Sequence, residues 1–309
     1  MMHSVSFTTN VCVADVEFAE QTIRHMIRSL NYPFKEKHIV IDTGALSGKY
    51  LARPAGQVER LRERMNVLLE DGTVDALFEI PWDESTEVLI RNHYLKNTQG
   101  SLRDRDGAPI FQYLYALYQC SGDYILHADS DMLFFSGSRQ RHWIDEAIDL
   151  MESRPEVVSA TQVNGPPRAE NVLERLLKRK LPPMRKREWA KPRIISTRCF
   201  LMHAQRLHDG LIPLMEGESG QPLEDMFSFT AEQRGFTWLS LCSDDPRDPW
   251  WLHPMRRDDT FSKNVDAIIR MVEAGAYPIK RWGERYNLYT YGVDWPFWEK
   301  VVNKNADIF

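Results

Sequence analysis

The first 42 residues already narrow the fold. A β-run from Ser4 to Val13 passes through Thr8-Thr9-Asn10 into a polar loop. Val16, Ala19, Ile23, Met26, Ile27 and Leu30 then recur at helical spacing, and Pro33 stops the helix. His38-Ile39-Val40-Ile41-Asp42 follows as a short apolar strand ending in an acid. Strand, helix, strand in that order implies a parallel pair joined by a right-handed crossover, hence an α/β fold. Asp42 then stands at the carboxyl end of a strand, where open α/β sheets bind ligands. An acid there can receive hydroxyl or amide donors from a nucleoside, or it can simply cap its own turn.

The rest of the chain continues the pattern. Val58 to Leu69 predicts an amphipathic helix and Val74 to Ile80 a third strand closed by Pro81. A polar stretch from 82 to 107 has a weak helical centre near Val88 to Leu95. Ile110 to Tyr118 is a strong helix, Trp143 to Met151 another, and Val157 to Thr161 a strand. Ile194 to Met202 is a further β-like run, and a helix is expected from Glu224-Asp225 with Gly235 as its C-cap. The remainder from Asp258 reads as helical, then aromatic.

Between two apolar runs, Tyr124 to Leu126 and Met132 to Phe135, lie Asp129-Ser130-Asp131. In a strand alternate side chains share a face, so the two acids can point the same way. Two neighbouring carboxylates at a strand's end are costly unless a cation or strong donors compensate them. A hard divalent ion bridging carboxylates and substrate phosphates is one solution, and a solvated acidic turn is the plain alternative.

Composition excludes some classes. A formal charge of -5 on 309 residues argues against a general nucleic-acid binder. Cys12, Cys120, Cys199 and Cys242 are far apart with no CxxC spacing, which predicts reduced thiols and no structural zinc. The chain shows no signal pattern and no apolar run approaching the ~20 residues of a membrane helix, so a cytoplasmic protein is expected. Residues 174–193 are strongly basic, with Arg175, Lys178, Arg179, Lys180, Arg185, Lys186, Arg187, Lys191 and Arg193 against Glu174 and Glu188. Such a segment suits phosphate, an anionic surface or a membrane contact, or is a solvated turn.

Taken together, the Thr8-Thr9-Asn10 strand, Asp42, the Asp129-Ser130-Asp131 "DxD" and Glu224-Asp225 followed by Gln233-Arg234-Gly235-Phe236 resemble the GT-A glycosyltransferases of the inverting family-2 type, over roughly residues 4 to 240. The resemblance implies a Rossmann-like, doubly wound, mostly parallel sheet with a C-terminal helical and aromatic extension. It implies a catalytic domain over 1–240, with a nucleotide-sugar half at about 1–135 and an acceptor half at about 136–240, completed by 241–309. The implied activity is hexosyltransferase-type transfer of one sugar from a UDP- or GDP-linked donor to a hydroxyl acceptor on a small molecule, glycan or lipid-linked compound. Thr8, Asn10, Asp42 and, with less support, Gln112 would bind the nucleotide. Asp129 would hold ribose or water at the metal, and Asp131 would ligate Mn2+ or Mg2+ bridging the phosphates. Asp225 would be the general base, with Glu224 beside it raising its pKa and competing for the role. His253 would complete the metal site or serve as a packed structural histidine, and His127 belongs to neither set.

The departures from the family are informative. The Gln-x-x-Arg-Trp of processive polysaccharide synthases and their membrane helices are absent, which favours a single transfer. No Arg-Asn-x-Gly element precedes the acid pair, so contacts from Arg103, Arg105 or Gln112 are left open. Trp250, Trp251 and the aromatics from Trp282 to Trp298 would form a platform for the acceptor or simply fill the core. A retaining transfer is open as well, because fold alone does not fix stereochemistry, and two other classes compete. A nucleotidyltransferase would need a Gly-rich phosphate loop after the first strand, which Thr8 to Asp15 does not supply. A non-catalytic sugar-nucleotide or glycan-binding protein on the same scaffold is the other.

Overall fold

The structure is a computed structural model that describes residues 3–45, 57–95, 102–166, 187–218, 220–254, 257, 259–276 and 299–300. Strands β1 (Val5–Cys12), β2 (Glu36–Asp42), β3 (Ala76–Glu79), β4 (Tyr124–Ala128), β6 (Val157–Thr161), β8 (Glu188–Ala190), β9 (Cys199–His203) and β10 (Thr237–Cys242) form an eight-stranded sheet. Its order is β3-β2-β1-β4-β9-β6-β10-β8. Strands β3, β2, β1 and β4 run parallel. β9 runs against both β4 and β6, β10 is parallel to β6, and β8 closes the edge antiparallel. A smaller sheet orders β5 (Leu133–Phe135), β11 (Trp250–Leu252) and β7 (Val163–Asn164). The mostly parallel α/β sheet expected from the sequence is borne out.

The chain winds outward from β1 in both directions, which creates a switch point between β1 and β4. Alternation along β1 sends Val5, Phe7 and Val11 into one core, under α1 (Ala19–Leu30), α2 (Gln57–Glu70) and α5 (Trp143–Ser153). The opposite face carries a second core of α3 (Glu84–Tyr94), α4 (Phe111–Tyr118) and α6 (Leu223–Gln233). A third cluster joins β11 to α7 (Asp259–Glu273), whose Phe261 packs edge-on to Phe18. Local chemistry sets the ends of these elements. Asn31 terminates α1 at φ 40, and Gly235 follows α6 at φ +74, as expected of left-handed caps. Asp83 caps α3 by accepting from the Thr86 N–H at 2.8 Å, a signal that the weak apolar periodicity of that helix hid.

Three expectations need correction. Asp129 and Asp131 do not lie on a strand: β4 ends at Ala128 and they occupy a turn in which the Met132 N–H donates to the Asp129 carbonyl at 3.1 Å. In the Ile194 to Met202 run only Cys199 onward is strand, because residues 192–198 leave the sheet to wall a pocket. In the basic segment, Arg187 is held by Asp248 and Glu146 as part of the fold and not as a solvated charge, while Lys191 pairs with Glu232 at the surface. Residues 174–186 and the aromatics from Trp282 to Trp298 lie outside the described residues. Among the described residues no helix is long and apolar enough to cross a membrane.

Candidate active site

The carboxyl ends of β1, β2 and β4 open into one cleft. β1 contributes Asn10 and Cys12 by alternation, β2 contributes Asp42, and the turn after β4 contributes Asp129 and Ser130. Gln112 and Tyr113 enter from α4, Arg103 from the loop before it, and Glu224 from the start of α6. His253 and Arg257 close the wall from the far end of the chain.

Asp129, Asp131 and His253 offer ligand atoms that all lie within 4.8 Å of one another. The local reason is strand pairing. β11 runs antiparallel to β5 with Leu252 opposite Leu133, so the residue after Leu252 arrives beside the turn that holds Asp131. His253 Nε2 lies 3.3 Å from Asp131 and 4.0 Å from Asp129. Tyr113 donates its hydroxyl to Asp129 Oδ1 at 2.7 Å, and His127 Nε2 sits 3.3 Å from the same oxygen while its ring stacks on Phe200. His127 is thus a buried support for Asp129, in keeping with its exclusion from the ligand set.

The electrostatics favour a cation. Burial pushes the Asp131 carboxyl up to about 6; the Asp129 charge reinforces this and Arg257 opposes it. Burial also acts to raise Asp129, but the hydrogen bond and charge of His127 outweigh it and hold the group below its ordinary value. Burial and the Arg198 guanidinium hold His253 down at about 3, so its imidazole is neutral, the form that ligates metal. Among the described residues both carboxylate oxygens of Asp131 are buried without a hydrogen bond; the Arg257 guanidinium lies 3.3 Å away and the neutral His253 imidazole at the same distance. An acid left in that condition fits a divalent cation. One adjustment is required. Arg198 Nη1 can only donate, and it lies 2.7 Å from His253 Nδ1, so the neutral ring carries its proton on Nε2. A metal held through Nε2 would require that proton on Nδ1, and Arg198 would then lose its acceptor there.

Other polar groups in the cleft are also unsatisfied. Among the described residues both polar side-chain atoms of Asn10 and the Gln112 Oε1 are buried without partners. Asp42, by contrast, accepts from the Gly44 N–H at 2.7 Å and from Trp82 Nε1 at 3.1 Å, while still facing the cleft. Gly44 is needed there, because a Cβ at that position would meet the Trp82 ring at 2.3 Å.

Three proposed residues do not line the cleft: Asp131, fully buried behind Asp129, Thr8 and Asp225. Thr8 shares a β1 face with Asn10 but lies two residues deeper, between His38 and His127 in register, which places it ~6.6 Å below the rim. Asp225 does not line the cleft, whereas Glu224 does, accepting from Thr197 Oγ1 at 3.2 Å. Adjacent residues of a helix point about 100° apart, so one of the pair had to turn away. Of the open contacts, Arg103 and Gln112 line the cleft, and Arg105 instead lies 3.8 Å from Glu218. Trp250 and Trp251 are core residues, 2% and 3% exposed.

Sequence reading missed Asp15, Tyr113, Arg198 and Arg257. Asp15 had a signal, since it follows the first strand directly. Arg257 had none: its 3.3 Å contacts with Asp15 and Asp131 join the two ends of the chain.

No protein-family model matches the chain, and no curated protein is detectably similar to it. Among solved structures it is similar to that of GalNAc-T7 with UDP, GalNAc and Mn2+, with 12% identity and a TM-score of 0.48 over 82% of this chain and 44% of that one. It is similar to S. aureus TarS, with 11% identity and a TM-score of 0.43 over 87% of this chain and 40% of that one. A third is glucosyl-3-phosphoglycerate synthase from Mycobacterium tuberculosis in complex with Mn2+, uridine diphosphate and glucosyl-3-phosphoglycerate, with 13% identity and a TM-score of 0.40 over 90% and 82%. The chain spans less than half the length of the first two. Likenesses this distant assign no role to any residue.

Proposed function

We propose that the protein is a metal-dependent glycosyltransferase that moves one sugar from a nucleotide-diphosphate donor to a hydroxyl acceptor, with inversion. The observation that carries this reading is the convergence of Asp129, Asp131 and His253 at the sheet's switch point, with both Asp131 oxygens buried and without a hydrogen bond among the described residues. Mn2+ or Mg2+ held there would neutralise the departing diphosphate, and the imidazole favours Mn2+. Asn10, Gln112 and Asp42 supply the unsatisfied amides and the rim carboxylate that would grip a nucleoside. Arg257, already poised beside two acids, is within reach of phosphate oxygens in the same cleft.

Glu224 is the base in this reading, in place of Asp225. The acceptor oxygen forms a bond to the anomeric carbon while the bond from that carbon to the diphosphate oxygen breaks. The electron pair leaves on the diphosphate, and the acceptor proton passes to the Glu224 carboxylate. Residues 1–135 serve the donor, 136–240 the acceptor, and His253 with Arg257 completes the metal side. Calorimetric titration with UDP and GDP, with and without Mn2+, tests the reading. Metal-dependent binding of one diphosphate that disappears in Asp131→Asn is expected. Binding that ignores Mn2+, or a response confined to triphosphates, would overturn it.

A further inference from the structure

Arg257 stands where the two ends of the chain meet. β11 ends at Leu252, and the connection to α7 brings first His253 and then, four residues on, Arg257 to the acids of the cleft. One short stretch therefore delivers both a candidate ligand and a fixed positive charge.

Both reach the same atom. His253 Nε2 and Arg257 Nη1 each lie 3.3 Å from Asp131 Oδ2. The two contacts of Arg257 differ in kind. Its Nη1 donates a hydrogen bond to Asp15 Oδ1 at 3.3 Å, but it makes none to Asp131, whose oxygens take no hydrogen bond among the described residues. Asp15 is itself fixed, being buried and accepting from the Cys12 N–H at 2.9 Å through its other oxygen. The guanidinium is thus tethered by Asp15 and acts on Asp131 through charge alone. Its side chain is 34% exposed, so it is not locked in place by packing. A cation bound to Asp131 Oδ2 at about 2.1 Å would stand within about 5.4 Å of that nitrogen. Like charges that close, beside buried groups, repel strongly.

We infer that Arg257 is a built-in antagonist of the divalent cation: it compensates Asp131 through Oδ2 and has to yield that oxygen to the ion. The inference rests on the cation site of the proposed function and adds its regulation, since the ion must outcompete a charge the chain itself supplies. Arg257 then sets how much metal is needed to load the cleft, and His253, on the same connection, gains the contact that Arg257 gives up.

The test measures Mn2+ binding to the intact protein without nucleotide, by electron paramagnetic resonance of the free ion, for wild type, Arg257→Gln and Arg257→Lys. Arg257→Gln should tighten Mn2+ by about tenfold or more, because it removes a positive charge beside the ligand oxygen. Arg257→Lys keeps the charge and should stay near wild type. Thermal melting gives a second readout. In EDTA Arg257→Gln should melt below wild type, since a buried acid loses its partner, and saturating Mn2+ should close that gap. Unchanged or weaker Mn2+ binding in Arg257→Gln, Arg257→Lys behaving like Arg257→Gln, or a melting gap that Mn2+ leaves open would each overturn the inference while the cation site stands. If neither wild type nor Arg257→Gln binds Mn2+, the cation site itself fails and the antagonism with it.

Discussion

The two pockets that meet at Glu224 differ in their balance of charge: the first sets six acids against Arg103, Arg198 and Arg257, and the second sets Glu224 alone against Arg193 and Arg198. The cleft at the switch point gathers Asp15, Asp42, Asp104, Asp106 and Asp129 in its lining, with Asp131 buried behind them. The pocket beyond, walled in part by residues 192–198, holds arginines and hydroxyls around a single carboxylate. Acids concentrated in one place, with one of them pushed up to about 6 by burial, are costly as long as no cation joins them. Glu224 faces both pockets.

Glu224→Gln should break the link between the halves most severely. Loss of the base is expected to reduce nucleotide-diphosphate release in the presence of acceptor by about 10²–10⁴-fold with donor affinity retained. Asp225→Asn should stay near wild type, and the opposite ranking would return the base to Asp225. Next comes Asp131→Asn, which should abolish Mn2+-dependent diphosphate binding, a fall on the order of 100-fold in affinity by calorimetry. The same variant should unfold at equal or higher temperature in metal-free buffer near pH 7, because it removes a buried charge that the fold resists. A lower midpoint there would show that the ion pair with Arg257 outweighs burial. His253→Ala should weaken Mn2+ by roughly 10–100-fold while leaving the metal-free fold intact. An unchanged Mn2+ affinity would make it a packing residue.

A smaller effect concerns acid. Seven of the nine histidines, His25, His38, His93, His142, His203, His208 and His253, have pKa values lowered by burial. Below the ordinary histidine value near 6.5 the unfolded chain binds more protons than the native one, so stability falls as pH drops through that point. Asp131 has the opposite sign, since its native pKa near 6 exceeds the unfolded value of 3.8 and adds stability as pH falls between them. Urea midpoints from pH 8 to 4 should therefore fall in wild type and fall more steeply in Asp131→Asn. Parallel curves would mean that Asp131 is ionised throughout.

Much of this was legible in residue order. The strand–helix–strand opening required a parallel pair, so Asn10 and Asp42 had to reach the carboxyl edge of the sheet. The acid pair announced itself by type and spacing, although a turn, and not strand alternation, brings its members together. The depth of Thr8 was not legible, because alternation gives the face of a strand and not the position along it relative to the rim. Glu224 and Asp225 were indistinguishable because a helix start looks the same from sequence whichever side faces the cleft.

By itself, then, the sequence determined the parallel α/β class, the acids at the strand ends and the helix that carries Glu224, since each depends on neighbours within about ten positions. The tertiary structure alone decided that Leu252 pairs with Leu133, which sets His253 beside Asp131. It alone decided that Arg257 bridges Asp15 and Asp131, and that Trp238 and Trp251 wall a pocket shared with Glu224. These contacts join segments far apart in the chain, and their partners are selected by sheet register and core packing, for which no local pattern of residues stands in.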